Sequence, residues 1–325
     1  MTRQGPAKGG REHATDSDKK EPAYEHEGAE VRGEGRGRNH RPRHRRFPEG
    51  HVSLPEALLF AALTDPGRVR DHNEDCIESR PEIGLYVLAD GMGGYNAGEV
   101  ASGMATSLIA DGLQETWQIK DVDKLGRGEA MGLSEKLTKE QIGRANTAIF
   151  TTSQNNPECA GMGTTLVVCL FYDNFVTVAH IGDSRLYRLR GEQMEQVTRD
   201  HSLLQEQLDS GLITPEEAKL SQNKNLVTRA LGIDPMVEPE LHVYETQPDD
   251  IYLLCSDGLS DMVDDEEIRL TLITLKSNPS LLVQQLVQAA NDNGGRDNIS
   301  AMLIHVASPY GVPRGWLARF KAFFR

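Results

Sequence analysis

The sequence predicts an α+β fold, whose simplest form is a central antiparallel β-sandwich with helices on the outer faces of its sheets. First, β-rich runs follow one another through short turns: Thr164–Tyr172 and Phe175–Ile181 are separated by Asp173-Asn174, which is typical of a hairpin. Second, helical patterns come together as a block, at Ala97–Leu113 and Leu133–Thr152. Blocks of helices beside hairpin-joined strands indicate an α+β domain.

Hydrophobic periodicity orders the remaining elements. In the first helix Val100, Met104 and Leu108 share one face, and in the second Ile142, Ala145 and Ile149 do, so we expect these faces to be buried. A third helix is predicted at Ser280–Ala290. Further strands are predicted at Leu58–Thr64, Leu85–Ala89, Ser184–Leu189, Met194–Val197, Leu241–Tyr244, Ile251–Cys255 and Ile299–Val306.

Composition divides the chain into three parts. Residues 1–52 are polar and partly basic, with an arginine-rich run at 36–46, and too few apolar residues to offset chain entropy, which predicts a disordered extension. Residues 53–308 have the pattern of a globular domain. Residues 309–325 form a basic aromatic tail, interpreted either as a helix packed on its own domain or as a segment that touches a membrane or a partner.

Residues 199–234 differ from the rest of the globular part. A short polar helix is predicted at Leu203–Ser210, followed by Pro215 at a helix start and by the polar stretch 221–225. The segment is too polar to be core. We expect a mobile excursion beside the functional site.

The bulk properties exclude several classes of protein. The net charge is −14, which argues against nucleic acid as a ligand of the globular core. No apolar run approaches the roughly 18 residues of a membrane span, and the N-terminus lacks the apolar stretch of a secretory signal. The four cysteines have no zinc-ligand spacing, and a reducing, cytoplasmic setting is the default expectation.

Acidic residues recur where hydrophobic strands stop. Asp90 follows Leu85–Ala89 and opens a glycine-rich turn, and Asp257 follows Ile251–Cys255 in a second Asp-Gly pair. Glu74 and Asp75 come past the first strand, Asp183 follows a strand, and Asp297 lies just before the last strand. Each signal is weak alone, since an Asp-Gly turn is often only a tight turn, but their joint placement predicts a cluster that the fold assembles.

The chemistry of this cluster follows from its donor atoms. The glycine-rich turn after Asp90 could be a phosphate cradle, but neither of the familiar phosphate-binding glycine spacings is present. The donors are all oxygen atoms, which selects Mg²⁺ or Mn²⁺ over Zn²⁺. A carboxylate bridging two such ions would make a binuclear hydrolytic centre. Arg70, upstream of Glu74, could donate two hydrogen bonds to phosphate oxygens, or it could simply form a surface salt bridge.

These motifs together resemble those of the metal-dependent type 2C serine/threonine protein phosphatases, in their bacterial branch. The resemblance covers about residues 57–306. It is carried, in chain order, by Arg70-x-x-Asn73-Glu74-Asp75, Asp90-Gly91-Met92-Gly93-Gly94, Gly161-Met162-Gly163-Thr164-Thr165, Gly182-Asp183-Ser184-Arg185, Ser256-Asp257-Gly258-Leu259 and Asp297-Asn298. It implies a four-layer fold with helices on both sides of the sandwich, a catalytic domain at 53–308, and a substrate-bordering flap at about 199–234.

The resemblance also implies a role for each site residue. Asp90 bridges two Mn²⁺ or Mg²⁺ ions and Gly91 gives its carbonyl. Asp257 and Asp297 hold the first ion, and Glu74 serves the second, directly or through water. Asp75 orients the attacking water, Arg70 binds substrate phosphate, and Asp183 with Asp257 binds a third, weaker ion. A general-acid role for His72 is not required by the bacterial pattern.

The expected activity is hydrolysis of phosphoserine and phosphothreonine in proteins by a metal-activated water, opposing a cognate Ser/Thr kinase. Two alternatives remain open at this point. One is a binding or scaffolding module that keeps the fold and senses metal or phosphoprotein. The other is a phosphatase that regulates an anti-sigma factor system, although no sensor domain is apparent in the sequence.

Overall fold

Two antiparallel sheets lie face to face in the computed structural model, which describes residues 52–94, 97–119, 124–214, 217–218 and 226–312. The strands are β1 Leu58–Asp65, β2 Asp75–Arg80, β3 Leu85–Met92, β4 Gly163–Thr164, β5 Leu166–Tyr172, β6 Phe175–Ile181, β7 Arg185–Arg190, β8 Gln193–Gln196, β9 Glu240–Glu245, β10 Ile251–Cys255 and β11 Ile299–Val306. The helices are α1 Leu54–Ala57, α2 Ala97–Ile119, α3 Arg127–Asn155, α4 Leu203–Asp209, α5 Asp257–Ser260, α6 Asp265–Leu275 and α7 Pro279–Asp292.

One sheet has the order β1-β11-β10-β7-β8, and the other has the order β2-β3-β5-β6-β9 with β4 paired to β3. Every pairing is antiparallel, as in β1 with β11, where Asp65 lies opposite Ile299. The hairpin predicted at Asp173-Asn174 joins β5 to β6, and both residues adopt positive φ angles of 48° and 60°. Such left-handed pairs match the twist of a two-residue hairpin.

Alternating side chains along the strands build three apolar layers. In β3, Leu85 and Val87 face α2 and α3, whereas Tyr86 and Leu88 face the other sheet. On the far side, α6 and α7 cover the first sheet, where Leu286 packs among residues of β10 and β11. The order helix, sheet, sheet, helix confirms the four-layer α+β sandwich.

The buried face of α2 differs from the prediction. Val100 is 39% exposed and Leu108 is 42% exposed, whereas Ala101, Ala105 and Ile109 are fully buried. Ala101 and Ala105 have small side chains, which allow a close approach of the helix to the sheet. In α3 the predicted face is right, since Ile142, Ala145 and Ile149 are all buried.

Four elements were not apparent in the sequence: the single-turn helices α1 and α5, strand β2 and helix α6. Strand β2 has a mixed, half-polar pattern because it lies at a sheet edge, where only Asp75 is buried. Helix α6 begins with acids and continues with β-branched residues, which have weak helix propensity. Its N-cap, Asp264, accepts a hydrogen bond from the Glu267 backbone N–H at 2.8 Å, and its buried residues are Ile268 and Leu272.

Packing continues beyond residue 308. Tyr310 is 3% exposed and its hydroxyl lies 2.7 Å from Thr246 Oγ1. The backbone N–H of Val312 donates to Asp173 at 2.7 Å. The tail from residue 313, the extension up to residue 51, and the predictions at Pro215 and 221–225 lie outside the described residues. Within the described part, no helix combines the length and apolar character that a bilayer crossing requires.

Candidate metal centre

Strand pairing brings Asp75 and Asp90 together. Asp75 opens β2 and lies directly opposite Asp90 near the end of β3. The backbone of Asp90 is fixed from the other side, since its N–H donates to Thr165 Oγ1 at 2.9 Å and its carbonyl accepts from Thr164 Oγ1 at 2.8 Å. The two carboxylates are therefore placed by regular sheet geometry, which holds a side chain more rigidly than a loop does.

Asp257 and Asp297 come from neighbouring segments of the other sheet. Asp257 is the first residue of α5, directly after β10, and Asp297 lies two residues before β11. A Cβ on Gly258 would sit 2.0 Å from the carbonyl oxygen of Asn298, so the two segments touch only because that residue is glycine.

A hydrogen bond joins the acids of the two sheets. Ser256 Oγ donates to Asp75 Oδ2 at 2.7 Å, although the two residues are 181 positions apart, and it accepts from the Ser300 N–H at 2.9 Å. This contact places the Asp257 segment against the Asp75–Asp90 pair. Both sheets thus deliver their acids to the same end of the sandwich.

Glu74 lies in a tight backbone cradle. A Cβ on Gly91 would meet the Glu74 carbonyl oxygen at 2.6 Å, and one on Gly98 would meet Glu74 Oε1 at 2.6 Å. The Gly91 N–H and the Ser102 hydroxyl both donate to that carbonyl, at 3.1 and 2.6 Å. Glu74 is therefore held against the glycine-rich turn that follows Asp90.

Asn298 was quoted in the sequence motif without a role, and the structure gives it one. Its Nδ2 donates to the carbonyls of His72, at 2.8 Å, and Pro66, at 3.1 Å, while its Oδ1 accepts from the Glu74 N–H at 2.8 Å. A single side chain thus ties the loop before β2 to the start of β11. Its signal in the sequence was only its position beside Asp297.

Arg70 lies at the rim with half of its side chain exposed. Its Nη2 donates to Asp297 Oδ2 at 2.8 Å. Arg70 therefore forms a salt bridge and also lies at the acid cluster. Burial tends to lower its pKa, but the charges of Asp297 and Glu74 outweigh that effect and raise it. The remaining guanidinium N–H groups point to no other described hydrogen-bond partner.

Asp183 follows β6 and is 7% exposed. Its neighbour Ser184 has its Oγ 2.7 Å from Thr165 Oγ1, the group that also holds the Asp90 backbone. Burial, followed by the charge of Asp200, raises the pKa of Asp183 to about 6. The segment that carries Asp183 is thereby linked to the backbone of Asp90 through the hydroxyl group of Thr165.

Burial and mutual repulsion act in the same direction on the acids of the cluster, and burial has the larger effect on their pKa values. The surrounding protein displaces water and raises the pKa of Asp90 well above its ordinary range, and the charges of Asp75, Asp257, Asp183 and Asp297 raise it further. Burial, with the charges of Asp183 and Asp297, likewise raises the pKa of Asp257. Several carboxylates in one place with raised pKa values indicate a site that lacks positive charge.

The residues present fit divalent cations. Burial raises the pKa of Asp75 to about 6, and its Oδ1 is a buried oxygen with no hydrogen-bond donor among the described residues. The donor set contains carboxylates and backbone carbonyls, which suit Mg²⁺ and Mn²⁺. A hard cation would supply the partner that this oxygen lacks and the charge that the cluster needs.

A second group of ligand-type side chains lies apart from these acids. His180, His201 and Glu240 bring three possible ligand atoms within 4.8 Å of one another. Hydrogen bonding argues against a metal there: His201 Nδ1 accepts the Gly182 N–H at 3.2 Å, so Nε2 carries the ring proton. The Nε2 atom, which lies 3.6 Å from Glu240 Oε2, is then no ligand.

The chain is similar to known proteins over about three quarters of its length. The family model described as protein phosphatase 2C matches residues 65–299. The serine/threonine phosphatase Stp of Listeria innocua is 37% identical over 244 residues, covering 74% of this chain and 93% of that protein. The protein phosphatase PhpP of Streptococcus pneumoniae is 37% identical over 251 residues, covering 76% of this chain and 97% of that protein.

Solved structures give the same result. The crystal structure of the serine/threonine phosphatase PstP/Ppp of Mycobacterium tuberculosis superposes with a TM-score of 0.68 at 37% identity, covering 77% of this chain and 99% of that one. A structure of the PstP catalytic domain in complex with two manganese ions superposes with a TM-score of 0.66, at the same identity and coverage. The chain therefore belongs to the protein phosphatase 2C family, the metal-dependent serine/threonine protein phosphatases.

Proposed function

We propose that the acid cluster holds two Mn²⁺ or Mg²⁺ ions and that the chain hydrolyses phosphoserine and phosphothreonine at this centre. The observation that carries the proposal is the convergence of Asp75, Asp183, Asp257 and Asp297 on Asp90, with Arg70 as the cation beside them. Such a concentration of negative charge is costly without bound cations. The protein is a serine/threonine phosphatase by family, and the proposal assigns the residues that do the work.

The metal ligands that we propose are those that the family resemblance implies. Asp90, at the centre of the cluster, would bridge the two ions, and the Gly91 carbonyl would add a backbone ligand. Asp257 and Asp297 would hold one ion and Glu74 the other, with Asp183 and Asp257 offering a third, weaker site. When bound, the ions supply a water of lowered pKa and neutralise charge on the phosphoryl group.

The chain itself positions the reactants. Asp75 Oδ2 is fixed by Ser256, so Oδ1 is left as the acceptor that would orient the attacking water. Among the described residues, the Arg70 guanidinium donates to Asp297 through Nη2. Its other N–H groups would donate hydrogen bonds to two phosphate oxygens. Both groups require little rearrangement, which is the main advantage of a preorganised site.

Replacement of Asp90 by Asn tests the assignment. It removes the charge at the point where both ions meet, so we expect Mn²⁺-dependent release of phosphate from a phosphopeptide to fall by at least about 1,000-fold, roughly 4 kcal/mol of transition-state stabilisation. Asp111→Asn is the matched control because Asp111, on α2, has a side chain that is 72% exposed and forms a surface ion pair with Arg80 at the end of β2. Wild-type turnover in the D90N variant, or turnover that survives EDTA, would rule the mechanism out.

The partner and the cellular setting are part of the same proposal. We infer that the enzyme opposes a Ser/Thr kinase and works in the cytoplasm, where its four free cysteines would stay reduced. Phosphoproteomics after deletion of the gene should reveal Ser/Thr sites that gain occupancy, and cell fractionation should place the protein in the soluble cytoplasmic fraction. A set of sites that is unchanged would argue against an opposing kinase.

We also propose that the catalytic domain comprises residues 53–308 together with the packed stretch up to Val312, and that its flap lies at about 199–234. We propose further that the basic aromatic tail after Val312 contacts an anionic membrane surface. The tail combines aromatic residues with Arg and Lys and contains no acid. Because Tyr310 is in the core, the comparison is between the full chain and a version ending at Val312. Equal co-sedimentation of the two with anionic liposomes would exclude the membrane and favour a protein partner.

A further inference from the structure

Two buried histidines lie where β6 ends and the flap begins. His180 is 2% exposed and His201 is 6% exposed. Their rings stack with centroids 4.8 Å apart and an angle of 22° between the ring planes. Neither belongs to the acid cluster, and the hydrogen bonding described above excludes a metal between them, so their burial needs another explanation.

Each imidazole binds the backbone of the other segment. His180 Nε2 lies 2.8 Å from the carbonyl oxygen of Arg199 and 3.3 Å from the Arg199 N, so the shorter contact makes Nε2–H the donor. In return, the Gly182 N–H donates to His201 Nδ1 at 3.2 Å, and the His201 N–H donates to the Gly182 carbonyl at 2.9 Å. Residues 180–182 and 199–201 are therefore joined in both directions.

The join fixes both ends of the flap. The Thr228 N–H donates to the His201 carbonyl at 2.8 Å, and the Leu203 N–H donates to the Leu226 carbonyl at 2.9 Å. Asp200, which lies between Arg199 and His201, accepts hydrogen bonds from the Arg185 side chain at 2.7 and 3.1 Å. Residues 226–228, at the end of the flap, are thus bound to residues 201–203 at its start. The start of the flap is in turn bound to the end of β6 through the two histidines.

We propose that His180 and His201 form a latch that fixes the start of the flap against the loop carrying Asp183, and that they act as positioning residues for the binding of phosphoprotein substrates. The proposal rests on the proposed function, since the flap borders the site only if the acid cluster is the catalytic centre. When the latch is broken, only the fraction of molecules with the flap in place can bind a protein substrate, so the apparent affinity falls by that fraction. A small aryl phosphate needs only the acid cluster and Arg70.

A crossed set of substitutions separates the latch from simple packing. At position 201, Asn puts its Oδ1 where Nδ1 was and can accept the Gly182 N–H, whereas Gln carries its amide one bond further out. At position 180 the order is reversed, because Gln places an Nε2 donor toward Arg199 and Asn falls short. H201N and H180Q keep the latch bonds, and H201Q and H180N lose them.

The first measurement is hydrogen–deuterium exchange of residues 199–206 and 226–231. The second is steady-state kinetics in the presence of Mn²⁺, with a phosphoprotein and with para-nitrophenyl phosphate as substrates. Loss of one buried hydrogen bond corresponds to roughly a tenfold change in the local opening equilibrium. For H201Q and H180N we expect about tenfold faster exchange and about a tenfold higher KM for phosphoprotein. The kcat for para-nitrophenyl phosphate should stay within about twofold, and H201N and H180Q should remain near wild type.

The comparison of Asn with Gln at the two positions decides between a latch and simple packing. If Asn and Gln at each position have equal effects, or if exchange rises without a change in KM, the latch is refuted and the histidines only pack. Failure of the wild type to hydrolyse para-nitrophenyl phosphate would count against the proposed function instead, while the exchange pattern would still test the latch on its own.

Discussion

Asn298 shows how one neutral side chain can organise a charged site. It is 4% exposed and connects three backbone groups of the loop from Pro66 to Glu74. The loop carries Arg70 and Glu74 and leads into Asp75 at the start of β2, so the placement of these residues relative to Asp297 depends on this amide. An amide suits the position because it donates to carbonyls and accepts from an N–H at the same time.

Replacement of Asn298 by Asp should therefore be damaging despite its equal size. The carboxylate keeps the acceptor for the Glu74 N–H but loses both donors and faces the carbonyls of His72 and Pro66. We expect a loss of about 2 to 4 kcal/mol in the free energy of unfolding, measured in urea, and weaker Mn²⁺ binding in calorimetry. Asn278→Asp is the control, because the α7 N-cap only accepts a hydrogen bond, from Leu281 N–H; similar losses in both would contradict the argument.

At this scale the sequence predicted the acids but not the groups that hold them. Asp75, Asp90 and Asp257 were recognisable because each lies in a short motif near a strand end. The bond between Ser256 and Asp75 spans 181 positions, and no local pattern encodes it. Contacts of this kind depend on which strands become neighbours in the two sheets.

At the scale of elements, the close approach of β3 and α2 forms the Glu74 cradle. A Cβ on Gly91 would lie 2.1 Å from the carbonyl oxygen of Gly98 in α2 and 2.6 Å from that of Glu74. Both neighbours are backbone atoms, which cannot move aside as a flexible side chain can. The glycine-rich turn is therefore required for packing between elements, whatever ligand its carbonyl group binds.

Gly91→Ala should push α2 and the Glu74 loop away from β3. We expect a loss of about 2 to 3 kcal/mol in stability from overpacking and a fall of more than about 100-fold in Mn²⁺-dependent turnover, because the ligands are displaced. Gly103→Ala, in the middle of the same helix, meets no atom within 4 Å and should instead stabilise by about 0.5 to 1 kcal/mol. Thermal unfolding and phosphopeptide assays of both variants check the pair; a stable, active G91A enzyme would disprove the cradle.

Elements with clear periodicity were predicted to within a few residues, as for β6, β10 and β11. The sequence missed the single-turn helices α1 and α5 and two longer elements, β2 and α6. The longer two have polar or β-branched sequences whose structure depends on the edge and the layer that they pack against. The face of α2 was misjudged for a related reason. Large apolar residues were expected inside, but the close helix–sheet contact selects Ala101 and Ala105 and leaves Val100 and Leu108 exposed.

For the whole molecule, the acid cluster couples stability to pH. The pKa values of Asp75 and Asp183 are raised to about 6 by burial, whereas an unfolded Asp titrates near 4. The metal-free folded state thus binds protons more tightly than the unfolded state does. By linkage, the stability that this contributes is fully present below about pH 4 and is lost as the pH rises through about 6.

We therefore expect the Tm of the protein in EDTA to fall between pH 5 and pH 7 and Mn²⁺ to raise it more at pH 7.5 than at pH 5, because ions and protons compete for the same carboxylates. Differential scanning calorimetry at each pH, with and without Mn²⁺, makes the measurement. Asp75→Asn should reduce the slope in EDTA, since one titrating group is removed. A Tm in EDTA that stays level or increases over this range would contradict the electrostatic account.

The sequence by itself determined the chemistry: an oxygen-only set of ligands, an arginine beside them, and strands whose ends carry both, all of which are local properties of short motifs. Only the tertiary structure decided the arrangement, namely which acids share a hydrogen bond, which face of α2 is buried, and that His180 and His201 join residues 199–201 to the end of β6. The physical reason is that such contacts arise from strand order and layer packing, which bring together residues more than a hundred positions apart and leave no periodic trace along the chain.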